Sequence, residues 1–137
     1  MLNHKTLLFI TLVFILVSCG GKGPRKDGSP REASVRLDST TARLGTFPKS
    51  AGKVSTVFTF TNDGDAPLEF LDHDVSCGCV SAVFPDKPVK PGRSGEILVT
   101  FKGKNKNPGK VYYKVYVETN GSPHTFVLRV TGQMTEN

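Results

Sequence analysis

Tryptophan is absent, and the 137 residues hold only three histidines and three cysteines. So few imidazoles and thiols leave histidine catalysis and multi-cysteine metal frameworks little material. Missing as well are a nucleophile elbow, carboxylates paired in a cleft pattern, and any sustained helical stripe that would place a thiol at a helix end. On these grounds the chain is expected not to be an enzyme and to need no cofactor. No internal repeat is visible. The longest apolar run, Thr6 to Leu16, falls short of the roughly 20 residues that a membrane-spanning helix requires.

That run begins after Lys5 and ends in Leu16-Val17-Ser18-Cys19-Gly20-Gly21. A charged start, a short apolar stretch and a small-residue exit form a secretory signal. Ending in small-residue-then-cysteine, it resembles the lipobox of bacterial lipoproteins. The resemblance implies that Cys19 receives a diacylglyceryl group on its sulfur and becomes the first residue after cleavage. Residues 1–18 are then a removed signal peptide, 19–32 a lipidated cysteine with a flexible tether, and 33–137 the folded domain. Each buried acyl CH₂ contributes about 0.8 kcal/mol, so two or three chains hold a protein on a bilayer essentially permanently.

The chain carries a formal charge of +6. Lys22, Arg25, Lys26 and Arg31 follow the lipobox, opposed by Asp27 and Glu32. This Gly-, Pro- and charge-rich stretch reads first as a solvated tether, with attraction to an anionic membrane surface secondary. Nucleic acid is not an expected partner of an exported chain. Gly20 stands where the enteric inner-membrane retention signal would place Asp, and the acidic run of surface-exported lipoproteins is missing. The expected location is the outer membrane of a bacterial cell envelope, with the domain facing the periplasm.

Beyond the tether the pattern is period two. Val54, Thr56, Phe58 and Phe60 share one face of Lys53–Asn62; Ile97, Val99 and Phe101 share one face of Glu96–Lys102. Val111, Tyr113, Val115 and Val117 alternate with Tyr112, Lys114, Tyr116 and Glu118, and Phe126, Leu128 and Val130 alternate within Thr125–Thr131. Strands buried on one face read this way. Weaker strands fit Ser34–Asp38, Leu68–Ser76 and Val80–Phe84. Turn chemistry separates them at Asn62-Asp63-Gly64-Asp65-Ala66-Pro67, Lys90-Pro91-Gly92-Arg93, Asn105-Lys106-Asn107-Pro108-Gly109 and Asn120-Gly121-Ser122-Pro123. About seven short strands with regular turns predict an all-β, Ig-like antiparallel β-sandwich. Phe58, Phe60, Ile97, Val99, Phe101, Val115, Phe126 and Leu128 are the expected core.

Thr46-Phe47-Pro48, Phe58-Thr59-Phe60-Thr61-Asn62 and Gly64-Asp65-Ala66-Pro67-Leu68 resemble the opening of domain-of-unknown-function family 1573. Ser76-Cys77-Gly78-Cys79 matches its most distinctive element. Pro91-Gly92, Ser94-Gly95-Glu96-Ile97, Val99-Thr100-Phe101, Pro108-Gly109, Thr119-Asn120 and Gly132 complete the pattern over about Ala42 to Met134. Val80 stands where the family usually has Thr, so no hydroxyl role follows the second cysteine. The resemblance implies an Ig-like sandwich common in exported bacterial proteins, and it brings no activity, substrate or catalytic residue.

Cys77 and Cys79 admit several readings. A disulfide or redox pair needs their Cα atoms within about 4.4–6.8 Å, near the limit for an extended strand; an inert thiol pair is the plainer state. Export favours oxidation. The sharper reading is a soft-metal site from His73, Cys77 and Cys79, with His124 approaching from elsewhere; a structural zinc site needs four ligands and no fourth is local. His73 between Asp72 and Asp74 reads equally as a solvated strand-end histidine. Lys102, Lys104, Lys106 and Lys110 surround one loop and read first as a solvated hairpin tip, and otherwise as a contact for anionic envelope phosphates.

The leading functional expectation is an envelope lipoprotein, anchored by lipid at Cys19, presenting a non-enzymatic binding or scaffolding module to a protein or envelope-polymer partner. The competing one is a periplasmic metal- or redox-handling protein using Cys77-Gly78-Cys79.

Overall fold

The computed structural model describes residues 30–137. The signal segment, Cys19 and the tether up to residue 29 lie outside the described residues. Eight strands run in chain order: β1 Val35–Leu37, β2 Thr41–Pro48, β3 Lys53–Asn62, β4 Phe70–Val75, β5 Val80–Val83, β6 Ser94–Lys102, β7 Gly109–Thr119 and β8 Thr125–Thr135, with a 3₁₀ turn at Lys49–Ala51. They form two four-stranded sheets, β1-β3-β6-β5 and β2-β8-β7-β4. The architecture is the expected all-β, Ig-like sandwich.

Alternation dictates which residues fill it. Phe58, Phe60, Ile97, Val99, Phe101, Val115 and Leu128 are buried between the sheets, since one phase of every strand must leave water. Phe126 is the exception. It packs against the core only partly buried, because it lies near the start of β8, before Arg129 where β2 begins to pair, so no neighbouring strand flanks it on that side. Tyr116, on the opposite phase of β7, is 43% exposed.

The strand beyond the seven expected ones is β2. Gly45, at φ 69°, sits in a bulge: Arg43 opposes Thr131 and Thr46 opposes Gln133, so three steps on β2 meet two on β8. The extra residue reverses the facing phase. Ala42 and Leu44 pack inward before the bulge, and Phe47 turns inward after it, its ring centroid 5.9 Å from that of Phe101. The alternation is broken mid-strand, which hides the element in the sequence. β2 also runs parallel to β8, whereas every other strand pairing is antiparallel.

The sandwich has two poles. The chain enters at one, where Ser122 N donates to Ala33 O and Val35 N to Ser122 O, both at 2.9 Å, and Asp65 N donates to Glu32 O at 2.8 Å. The other pole gathers the start of β3, the end of β6 and the start of β7. The ten residues of β3, at about 3.3 Å each, separate the poles by roughly 30 Å.

Candidate functional site

Cys77-Gly78-Cys79 forms the crossover from β4 in one sheet to β5 in the other. Gly78 is exposed with no atom within 4 Å of a Cβ placed there, so the backbone turns freely between the cysteines. The turn brings their Cα atoms to 5.1 Å and the two sulfurs are bonded. Cys79 N donates to Cys77 Sγ at 3.1 Å, and Cys79 O accepts from Lys102 N at 2.7 Å, locking the corner onto the end of β6. Cys79 is buried and Cys77 half-buried.

His73 goes elsewhere. Its ring packs against Phe84, the centroids 4.9 Å apart and the planes tilted by 50°; Phe84 meets Phe70 at 5.1 Å, which in turn meets Phe60 at 5.1 Å. These rings close the open flank between edge strands β4 and β5. His124 lies on the β7–β8 connection, its Nε2 3.0 Å from Glu118 Oε1. Among the described residues no group of three or more His, Cys, Asp or Glu side chains is arranged to hold a metal ion, and no helix is long and apolar enough to cross a membrane.

On the outer face of the second sheet a depression of about 410 Å³ is lined by Asp72, Asp74, Tyr116, Glu118, Thr125 and Val127, among others. Its carboxylates serve local structure. Asp72 Oδ1 accepts from His73 N and Asp74 Oδ1 from Val75 N, each at 2.8 Å, along the edge strand just after its register shift between Phe70 and Asp72.

Four strands stand at sheet edges: β1, β5, β2 and β4. An uncovered edge offers free backbone groups to another chain, and charge is the usual guard. Arg36 lies on β1, Arg43 on β2, and Asp72 and Asp74 on β4. β5 reads Val80-Ser81-Ala82-Val83 and carries no charge. Its last residue belongs to an apolar row across the outer face of its sheet. Val83 opposes Leu98, Leu98 opposes Val57, and the three are 59%, 40% and 46% exposed. In the sequence Leu98 is flanked by Ile97 and Val99, Val83 by Ala82 and Phe84, and Val57 by Phe58, so each merges with the inward phase of its own strand; the register alone aligns the three on the outer face.

A two-layer Ig-like sandwich with a bonded corner and an unguarded edge is the class these features define. Residues 35–134 match the model of the family described as "Protein of unknown function (DUF1573)", and the chain belongs to that family. No curated protein matches the sequence. Among solved structures the chain is similar to a protein of unknown function from Porphyromonas gingivalis W83, at 18% identity and TM-score 0.64, covering 74% of this chain and 46% of that one. It is similar to the VesB protease of Vibrio cholerae at 19% identity and TM-score 0.54, covering 75% and 31%. It is also similar to an ASH/PapD-like domain of human CEP192 at 14% identity and TM-score 0.52, covering 90% and 98%. The chain thus spans less than half of the Porphyromonas and Vibrio proteins. Likenesses at this identity show the fold alone.

Proposed function

We propose that this chain is a cell-envelope lipoprotein, anchored by lipid at Cys19 in the outer membrane and facing the periplasm, whose sandwich is a non-enzymatic binding or scaffolding module. The observation that carries the binding role is edge strand β5: uncharged, and continuous with the exposed Val83–Leu98–Val57 row. An extended segment of a protein partner pairs with β5 through backbone hydrogen bonds and sets apolar side chains on that row. The lipobox supports the anchor, and the tether presents the domain away from the bilayer.

Two measurements test this. Labelled fatty acid is incorporated into the natural chain and not into Cys19→Ala; equal incorporation sinks the anchor. Photo-cross-linking from position 83 in intact cells yields discrete adducts that disappear in Leu98→Lys, while the urea midpoint of that variant stays near the natural one. Adducts unchanged by Leu98→Lys refute the edge.

The alternative is redox handling at Cys77 and Cys79. It is favoured by their bonded state at a half-exposed corner, and thiol counting after equilibration with a glutathione buffer separates the two readings.

A further inference from the structure

About fifty residues of chain separate Lys49 and Lys53 from Lys102, Lys104, Lys106 and Lys110, yet the fold delivers all six to the pole opposite the chain's point of entry. Lys53 stands directly across from Lys102. Gly103 N donates to Gly52 O at 2.8 Å and Lys106 N to Gly103 O at 2.9 Å, drawing the β6–β7 loop over the 3₁₀ turn that begins at Lys49. Lys110 pairs with Gln133 beside Gly109 and Met134; a Cβ on Gly103 would meet Met134 Sδ at 2.8 Å, so the loop also rests on the opening of the β7–β8 ladder.

The charge there is unbalanced. The ion pairs between described side chains are Arg36 with Asp38 and Asp63, and His124 with Glu118; none involves these lysines. Glu136, past the end of β8, is the acidic side chain that the strand ends bring to this pole among the described residues. Like charges directly opposite on neighbouring strands destabilise a sheet, so the Lys53–Lys102 pairing works against the fold. Departures of this kind from local consistency are expected at functional surfaces.

The composition of the pole identifies the ligand chemistry. It carries no arginine fork for a fixed bidentate site, only compact ammonium charges on flexible stems. The loop Gly103-Lys104-Asn105-Lys106-Asn107-Pro108 has no aromatic or large aliphatic side chain to insert. A broad, shallow, lysine-only surface matches a fluid array of phosphates.

We infer that this pole docks onto the phosphate-bearing headgroups of an anionic lipid bilayer. The inference rests on the tethered reading for its direction: residues 32–35 are held at one pole and the lysines stand at the other. Each lysine brought near such a surface adds about fivefold in affinity at low salt, and salt screens the gain.

The test uses the full lipidated chain incorporated into phosphatidylcholine vesicles, to which vesicles containing phosphatidylglycerol are added. Light scattering should report clustering at low salt, its loss at high salt, and no clustering with pure phosphatidylcholine acceptors. Lys102→Gln/Lys104→Gln/Lys106→Gln should need about 100-fold more acceptor lipid for the same clustering. Lys87→Gln/Lys90→Gln, outside this pole, should cluster as the natural chain does. Urea midpoints of both variants check that the fold survives. Absence of clustering, or equal clustering by the lysine variant, overturns the inference. Binding of soluble polyphosphate without clustering overturns it in favour of an anionic polymer. A chain that fails to float with the phosphatidylcholine vesicles refutes the anchor instead, and the pole is then read by direct flotation with phosphatidylglycerol vesicles.

Discussion

The side-chain amide of Asn62 donates to the carbonyl oxygen of Val89 at 2.8 Å. Asn62 is fully buried. Its second N–H donates to Ala66 O at 2.8 Å, and its oxygen accepts from Gly64 N at 3.0 Å and Ser34 N at 3.2 Å. One side chain thereby bonds four backbone groups on three segments outside the named strands, where isolated bridges such as Leu68–Val89 are among the other ties. Buried polar groups so saturated fix a unique arrangement, and leaving their partners unmet costs about 1–3 kcal/mol each.

Asn62→Asp keeps the shape and removes both donors, setting a carboxylate against two carbonyl oxygens. At neutral pH the loss in a urea titration should be at least about 3 kcal/mol. Burial raises the folded-state pKa of the new carboxyl above the roughly 3.9 of an unfolded Asp. The variant therefore comes closest to the natural chain below about pH 4, where the protonated group regains a donor, and falls behind as pH rises through the folded-state value. A deficit independent of pH would mean that the introduced carboxylate has reached solvent.

The two phases of the strands should differ in cost. Phe60→Ala or Phe101→Ala empties a fully buried site and should lose about 3–5 kcal/mol. Tyr116→Ala, on the exposed phase, should lose less than about 1 kcal/mol. Equal losses at Phe101 and Tyr116 would contradict the two-layer packing.

The Cys77–Cys79 bond closes a loop of three residues, and so short a loop removes only about 1.5 kcal/mol of unfolded-state entropy. Cys77→Ser/Cys79→Ser should therefore lower stability by about that much or less, with the sandwich retained. A loss several times larger would give the corner a packing role beyond the bond.

How far the sequence disclosed this molecule depended on periodicity. The strand expected at Lys53–Asn62 coincides with β3, and the inward phases of β6, β7 and β8 were legible because nothing interrupts their alternation. β2 was not legible, since the Gly45 bulge flips its phase between Leu44 and Phe47. Asn62 read as the first residue of a turn; its buried role depends on Val89 and Ser34, which lie far away in sequence. The Val83–Leu98–Val57 row and the meeting of Lys53 with Lys102 are products of register, which a one-dimensional pattern does not contain. The single clue available was the absence of charge in Val80-Ser81-Ala82-Val83.

Two glycines hold the chain where it enters the sandwich. A Cβ on Gly121 would lie 2.7 Å from Ala33 O and 2.9 Å from Ala33 C, and one on Gly64 would run into the backbone of Glu32, Ala33 and Ser34. The obstacles are main-chain atoms already engaged in hydrogen bonds with Ser122, Asp63 and Asp65, so they cannot swing aside as a side-chain tip would. Gly121→Ala or Gly64→Ala should accordingly push residues 32–35 off the pole. The expected cost is about 1–3 kcal/mol, with protease sensitivity gained at that segment. Gly78→Ala provides the comparison: nothing lies within 4 Å of its Cβ position and no positive φ is recorded there, so its urea midpoint should match the natural chain. Protection of residues 32–35 unchanged in Gly121→Ala would show that the segment is held by something other than this clamp.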